Sequence, residues 1–370
     1  MSRISYISDL SLPSNKAQSI HIFKMIDSLL KNTDYLDFYC RYSPSHYSIK
    51  KIKKDYSMNS SKKFRINAST KKNFLLNNRI IFGLKIAIDL KKNKEQLIIT
   101  RSFFASFFMI LFNIKHFLEI HQALKGLTKF LFINLNFINS KKIIKIIFIS
   151  KGLSNYYSSK KINSIVLHDC YAPKNFKKNK LKKKIKNVYY FGSFYKGRGI
   201  DVIKKLSSLS SSFNFYLYGK RNEEIENFPQ NVKIFNFQKY KNIPKFIKKA
   251  DVLLMPYQSK VSINSINFND DISKFISPLK MFEYLGTGTP IISSELKVLK
   301  EILVHRKNAY LVKNYDDPFS WKKALDEVSS DKKLRKTMYT NSLKTASKYT
   351  WDLRVKKIIF YYNNKNKISD

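Results

Sequence analysis

Residues 277–292 read SPLKMFEYLGTGTPII, and the way this stretch divides into helix, turn and strand decides the fold. Ser277 before Pro278 is a helix-start pair. The hydroxyl accepts from first-turn N–H groups that lack partners, and proline's fixed φ suits the first helical position. Gly286 and Gly288 end the helix after about two turns, and Pro290 then opens an apolar, strand-like run. Lys280 and Glu283 lie three apart and share one helix face. A lysine in the first turn opposes the helix dipole, so propensity does not account for it. A bound anion does, because backbone N–H groups and an ammonium converge on one place. A surface Lys–Glu pair beside an ordinary turn fits the same residues.

Outward from this segment the second half of the chain alternates strands and helices. Val188–Phe191, Phe215–Tyr218, Val232–Phe235, Val252–Met255 and Ile291–Ile292 read as short buried strands. Helices are expected over Ile200–Leu209 and around Pro244–Lys249. The first half repeats the pattern. Ile4–Ile7, Leu36–Cys40, Leu97–Thr100, Phe117–Ile120 and Ile146–Ile149 are strand candidates, and Ile22, Phe23, Ile26, Leu29 and Leu30 recur at helical spacing. Residues 43–75 read as a basic, polar loop and helix. Ser164–Leu167 is the last apolar run before the Lys-rich segment Lys174–Lys186, which reads as a solvated helix or linker. Strands separated by helices predict an α/β chain of two parallel, doubly wound sheets, whose ligands bind outside the carboxyl ends of the strands. The loop Gly192–Gly199 (GSFYKGRG) sets Lys196 and Arg198 among Gly192, Gly197 and Gly199, which suits close approach of backbone to phosphate. A plain tight turn fits it as well.

Composition narrows the function classes. A chain of 370 residues has room for about two domains. Seventy Lys+Arg against 26 Asp+Glu give a formal charge of +44, which attracts nucleic acid, an anionic membrane face or phosphorylated substrates. Lysine beside Asn and Ile is also what an AT-rich genome produces. With no zinc finger, RNP-like aromatic motif or other nucleic-acid module to focus it, no specific nucleic acid is expected. Cys40 and Cys170 have no CxxC spacing, so neither a disulfide framework nor a zinc site is suggested, and a reducing, cytoplasmic compartment fits. No signal peptide is visible at the start. The most apolar window, Ser102–Phe112, is too short to span a bilayer and reads as a buried or interfacial helix.

Taken together the motifs resemble the nucleotide-sugar-dependent glycosyltransferases of family 4, in the branch with an SPLK-type donor-binding helix. LPSNKAQSIHIFKM (12–25), ITRS (99–102), LEIHQ (118–122), FISKGL (148–153), VLHDCYAPKNF (166–176), YYFGSFYKGRGID (189–201), KKADVLLMPY (248–257), SPLKMFEYLGTGTPII and YTWDLRVKKII (349–359) carry the resemblance. It implies the GT-B fold, two Rossmann-like doubly wound domains facing a central cleft. The boundaries are an N-terminal acceptor-side domain over 1–165, a C-terminal nucleotide-sugar domain over 166–350, and a helix over 351–366 that returns to the first domain.

Residue by residue, the resemblance gives Arg198 and Lys280 the donor diphosphate, Glu283 the ribose hydroxyls, and His121 the donor sugar and acceptor. Gly192, Gly199 and Ser277 complete the donor site. Many members carry a second Glu eight positions before Glu283, where this chain has Phe275, and an Arg directly after the loop glycine, where it has Ser193. Losing that cation makes Lys280 more necessary.

The expected reaction is hexosyl transfer from a UDP- or GDP-sugar to a cell-surface glycan or lipid-linked acceptor, as in polysaccharide or lipopolysaccharide biosynthesis. Retention of configuration is implied by the resemblance. No cofactor or metal is expected, since no Asp and His cluster stands at metal spacing. The location is cytoplasmic or peripheral at the inner face of the cytoplasmic membrane, with Lys50–Lys54 beside Ile52 and Tyr56, and the stretch Phe103–Phe112, as candidate contacts with an anionic surface. Tyr257 and Phe194 are the aromatics expected near the cleft. Read for the residues alone, His121 is also compatible with a satisfied core histidine. His168 with Asp169 fits an interdomain pair or a plain loop, and Glu301 fits a structural role. A non-catalytic basic protein that binds membrane or nucleic acid, or a nucleotide-sugar epimerase on the same architecture, are the alternatives.

Overall fold

The computed structural model describes residues 3–70, 78–92, 96–220, 227–262 and 271–364. The chain divides into two compact units, Met1–His168 with Trp351–Asp370, and Asp169–Thr350.

The first unit is built on a seven-stranded sheet in the order β3-β2-β1-β4-β5-β6-β7. Its strands are β1 (Ile4–Ile7), β2 (Leu36–Tyr42), β3 (Arg65–Ser69), β4 (Leu97–Thr100), β5 (His116–Ile120), β6 (Ile143–Phe148) and β7 (Ser164–Val166). All pairings are parallel. The central strands are buried on both faces, as the largely apolar runs ISYI and LIIT suit in a covered parallel sheet. The helix Trp351–Asn363 belongs to this unit. It buries Trp351, Arg354, Val355 and Ile358, an i, i+3, i+4, i+7 stripe. Asp352 at its start accepts from Ser28 at 2.6 Å and pairs with Lys31 at 2.6 Å, which ties it to the helix Ala17–Leu29.

Two stretches of this unit differ from their sequence reading. The segment read as loop and helix over 43–75 holds the helix Ile49–Asp55, capped by Ser48, and also the edge strand β3. Residues 71–75 of it lie outside the described residues. β3 reads RINAS and is only half-buried, so no apolar run betrays it. Its register is held by Asp37 of β2, which accepts from Arg65 at 2.6 Å and Asn67 at 3.1 Å. On the helix Ile49–Asp55, Ile52 is 0% exposed and Tyr56 after it 4%, so neither is available to the membrane contact expected of Lys50–Lys54.

The second unit carries a six-stranded sheet in the order β10-β9-β8-β11-β12-β13. Its strands are β8 (Asn187–Phe191), β9 (Asn214–Tyr218), β10 (Val232–Phe235), β11 (Val252–Met255), β12 (Ile291–Ser294) and β13 (Tyr310–Val312), all parallel. The order reverses between β8 and β11, which places the crevice of a doubly wound sheet at the carboxyl ends of these two strands. Both units therefore have the Rossmann-like topology read from the alternation. The Lys-rich segment Lys174–Lys186 is not helical. It runs as irregular chain pinned by Asn179, which donates to Thr289 Oγ1 at 2.8 Å, and by Asp251, which accepts from Lys186 N at 3.0 Å.

Candidate functional site

The loop after β8 and the helix Leu279–Thr287 after β11 bring two cations to the crevice of the second unit. Gly199 closes the loop with φ 74°, the left-handed region, and a Cβ there would stand 1.9 Å from Pro256 O. Only glycine lets the loop fold back against the end of β11. That turn directs Arg198 over the Tyr257 ring, its guanidinium carbon 5.3 Å from the centroid, with Nη2 donating to Ser262 O at 3.3 Å. Arg198 Nε is buried and has no hydrogen-bond partner among the described residues, a donor poised for an acceptor from outside the chain.

Lys280 reaches the same ring. Its Nζ lies 4.8 Å from the Tyr257 centroid and 4.4 Å from that of Tyr190, and donates to Phe191 O at 3.0 Å. A Cβ on Gly192 would come within 3.2 Å of that nitrogen, so loop and ammonium adjoin. Burial, and then the neighbouring Arg198, hold the Lys280 pKa well below the usual lysine range. Two cations over one ring, one unmatched guanidinium donor and a depressed ammonium form a site that a diphosphate would complete.

Glu283, one turn further along the helix, is buried, and its Oε1 accepts from Tyr240 OH at 2.8 Å. Burial and the adjacent carboxylate push the Tyr240 phenol well above its ordinary value, so it stays the donor. Ser277 does not cap the helix. The chain is still extended at Pro278 (ψ 121°), which is the N-cap residue and offers no side-chain hydrogen bond. The Ser277 hydroxyl accepts instead from Asp169 N at 3.0 Å. The helix ends at Gly288, φ 73°. Phe194, expected near the cleft, is 3% exposed and lies in the hydrophobic core with Tyr190 and Ile203. Glu301 sits in a short 3-10 turn, Leu299–Glu301.

In the first unit His121 directly follows β5, and its side chain is 21% exposed. Its Nε2 lies 3.2 Å from Glu119 Oε1, and its ring meets the His21 ring edge-on with centroids 4.7 Å apart. Glu119 is the hub. Its Oε1 also stands 2.9 Å from His21 Nε2 and accepts from Arg354, while Oε2 accepts from Tyr6 OH at 3.0 Å. Arg354 further donates to Leu167 O and to His168 O at 2.8 Å. Burial alone would raise the Glu119 carboxyl, but His21, Arg354 and His121 outweigh it and hold it well below the carboxylate range. His121 is pushed down to about 3 by burial and Arg101, against the pull of Glu119. It is a neutral imidazole at physiological pH.

The ligand-type atoms of His21, Glu119 and His121 lie within 4.8 Å of one another, a donor set that suits zinc and that linear spacing does not reveal. Arg354 already occupies Oε1 of that carboxylate and Tyr6 the other oxygen. A metal ion there would face a guanidinium across a single oxygen, so these residues do not fit one. Tyr6, His21 and Arg354 come from three separate elements, and sequence reading did not single them out. The signal in hand was a charged residue on the buried stripe of the last helix.

Residues 172–345 match the family model described as "Glycosyl transferases group 1", a span that lies within the second unit. An uncharacterized glycosyltransferase, MJ1178, of Methanocaldococcus jannaschii is 22% identical over 169 residues, 44% of this chain and 44% of that protein. Among solved structures, sucrose-phosphate synthase from Thermosynechococcus elongatus aligns over 100% of both chains with TM-score 0.71 and 14% identity. Anabaena HepE, solved in complex with UDP-glucose, aligns over 98% of this chain and 99% of its own, with TM-score 0.67 and 10% identity. At such identities the likeness is one of fold: two parallel-sheet, Rossmann-like domains, the fold class of the GT-B glycosyltransferases.

Proposed function

We propose that this protein is a retaining, family-4-type glycosyltransferase. It moves a hexosyl group from a UDP- or GDP-sugar to a glycan or lipid-linked acceptor, in the biosynthesis of a cell-surface polysaccharide or lipopolysaccharide. The observation that carries the reading is the pair Arg198 and Lys280 over Tyr257 at the carboxyl ends of β8 and β11. The match of residues 172–345 to glycosyl transferases group 1 supports it.

The chemistry follows from charge. As the bond between the anomeric carbon and the diphosphate oxygen breaks, the sugar becomes oxocarbenium-like and negative charge grows on the leaving group. Arg198 and Lys280 are already in place to stabilise that charge without reorganising. Their two positive charges take the part a divalent cation plays elsewhere, so transfer proceeds without metal. Glu283 accepts from the ribose hydroxyls through its carboxylate. The acceptor oxygen attacks the anomeric carbon from the face the diphosphate leaves, and its proton passes to the departing phosphate oxygen. Glu119 is enclosed by Tyr6, His21 and Arg354 and cannot act as a nucleophile for double displacement. His121, neutral and braced by Glu119, serves as a fixed hydrogen-bonding group toward the donor sugar and acceptor rather than as a proton donor.

Purified protein incubated with UDP-, GDP- and ADP-hexoses tests the reading. Saturable thermal stabilisation by one nucleotide class is expected, of about 2.7 kcal/mol at a hundredfold excess over Kd. Indifference to every nucleotide would overturn it.

A further inference from the structure

We propose that the helix Arg79–Lys91 docks the protein on an anionic lipid bilayer through the face that carries Ile80, Ile81, Leu84 and Ile88. This does not rest on the glycosyl-transfer reading. These side chains are 41%, 37%, 36% and 47% exposed, and helical spacing sets them on one arc. The opposite face, with Phe82, Ile86, Ala87 and Leu90, is buried against Ala105 and Met109 of the helix Phe103–Leu111. Gly83 fixes that orientation, because a Cβ there would stand 2.6 Å from Ala105 N, so the two backbones nearly touch. The outer aliphatic arc therefore cannot turn inward. Leu111, at the end of the neighbouring helix, is also 54% exposed, and Lys91 Nζ spans to the Phe112 ring at 5.4 Å. A contiguous apolar surface with a charged border marks an interaction site.

The border selects the occupant. Arg79, Lys85, Lys91 and Lys92 are exposed on this segment, and within residues 79–92 Asp89 is the one acid. A second copy of a chain with formal charge +44 would bring the same sign to this face and be repelled, whereas anionic lipid headgroups complement it. Lysine stems lie along the apolar surface while their ammonium groups stay in the headgroup layer. Each contributes roughly a fivefold gain in partitioning at an anionic surface. No helix among the described residues is long and apolar enough to cross a membrane, so attachment through this face is peripheral and reversible. The lysines of the helix Ile49–Asp55 lack such an arc, since Ile52 and Tyr56 are buried.

Co-sedimentation of the full chain with phosphatidylcholine vesicles, with and without about 30 mol% phosphatidylglycerol, tests this. Wild type is expected to bind the anionic vesicles only, less so as salt rises. The charge-neutral variant Leu84→Ser/Ile88→Ser should bind at least roughly tenfold more weakly at unchanged far-UV circular dichroism, from the apolar groups withdrawn from lipid. Lys85→Ser/Lys92→Ser, which leaves the apolar arc whole, should flatten the salt dependence. No binding of wild type to anionic vesicles at low salt would overturn the proposal. Undiminished binding by the folded Leu84→Ser/Ile88→Ser variant would do so too. So would a lipid-free dimer that this variant dissolves, since the occupant would then be a second copy.

Discussion

Replacing Lys280 with methionine keeps most of the side-chain stem and removes the ammonium. In the ligand-free protein that ammonium is poorly provided for: one carbonyl, Phe191 O at 3.0 Å, two aromatic faces and a nearby guanidinium. Burial and Arg198 depress its pKa for that reason. A diphosphate supplies the missing opposite charge, so the pKa rises on binding, and the complex takes up a proton wherever the pH lies between the free and bound values. The sign follows directly. Affinity falls as pH rises through that window and is flat below the free value. A charge-assisted contact to phosphate contributes about 1.5–3 kcal/mol, so Lys280→Met should weaken nucleoside diphosphate binding roughly ten- to a hundredfold, with Arg198 retaining the rest.

Calorimetric titration in two buffers of different ionisation enthalpy reads both effects. Wild type should show a buffer-dependent heat, and the variant a buffer-independent one with weaker affinity. A desolvated ammonium destabilises the unliganded fold, so the variant should melt no lower than wild type. Wild-type affinity in the variant, or weaker affinity accompanied by a lower melting temperature, would refute the reasoning.

Three other outcomes are expected. His121→Ala should leave nucleotide affinity within a few-fold and lower kcat roughly 10²-fold, as for loss of a positioned polar group at a reacting centre; near-normal turnover in steady-state assays would return His121 to a structural role. Acid should destabilise the first unit. His116, in contact with Ser106 Oγ at 2.7 Å, and His121 have pKa values lowered to about 4 and about 3. The unfolded chain therefore binds more protons below about pH 6.5, and stability falls by about 1.4 kcal/mol per pH unit for each histidine until its folded value is reached. Melting followed from pH 7 to 5, with His116→Asn flattening the slope, checks this. Arg354→Met strips Glu119 of its guanidinium and should cost about 3–5 kcal/mol, while adding Glu119→Gln should recover part of that loss in a double-mutant cycle followed by chemical denaturation.

The strands that could be read from sequence are those buried on both faces, such as Val252–Met255, whose four apolar residues have no polar alternative. β3 and β13 were not read. RINAS is a half-exposed edge strand held by Asp37, and Tyr310–Val312 is three residues long, so neither carries a local period. At the crevice, spacing put Lys280 and Glu283 on one face but could not show that one turns to Phe191 O and the other to Tyr240, because those partners lie 89 and 43 residues away. Ser277 departs from the cap its position suggests for a related reason. Capping preference is local, and a tertiary contact from Asp169 took the hydroxyl first. Around His121 the adjacent Glu119 was in view, whereas Tyr6, His21 and Arg354 meet it only because β1, the helix after it and the last helix converge there.

The central claim is that Arg198 and Lys280 hold the diphosphate of a sugar donor. The most direct test is nucleoside diphosphate release from UDP-, GDP- and ADP-hexoses in the presence of an extracted glycan acceptor, comparing wild type with Arg198→Ala. Release from one donor class is expected, at least roughly tenfold slower in the variant, from the loss of one charge-assisted contact in the transition state. Release from none of the donors by wild type, or equal release by the variant, would contradict the account.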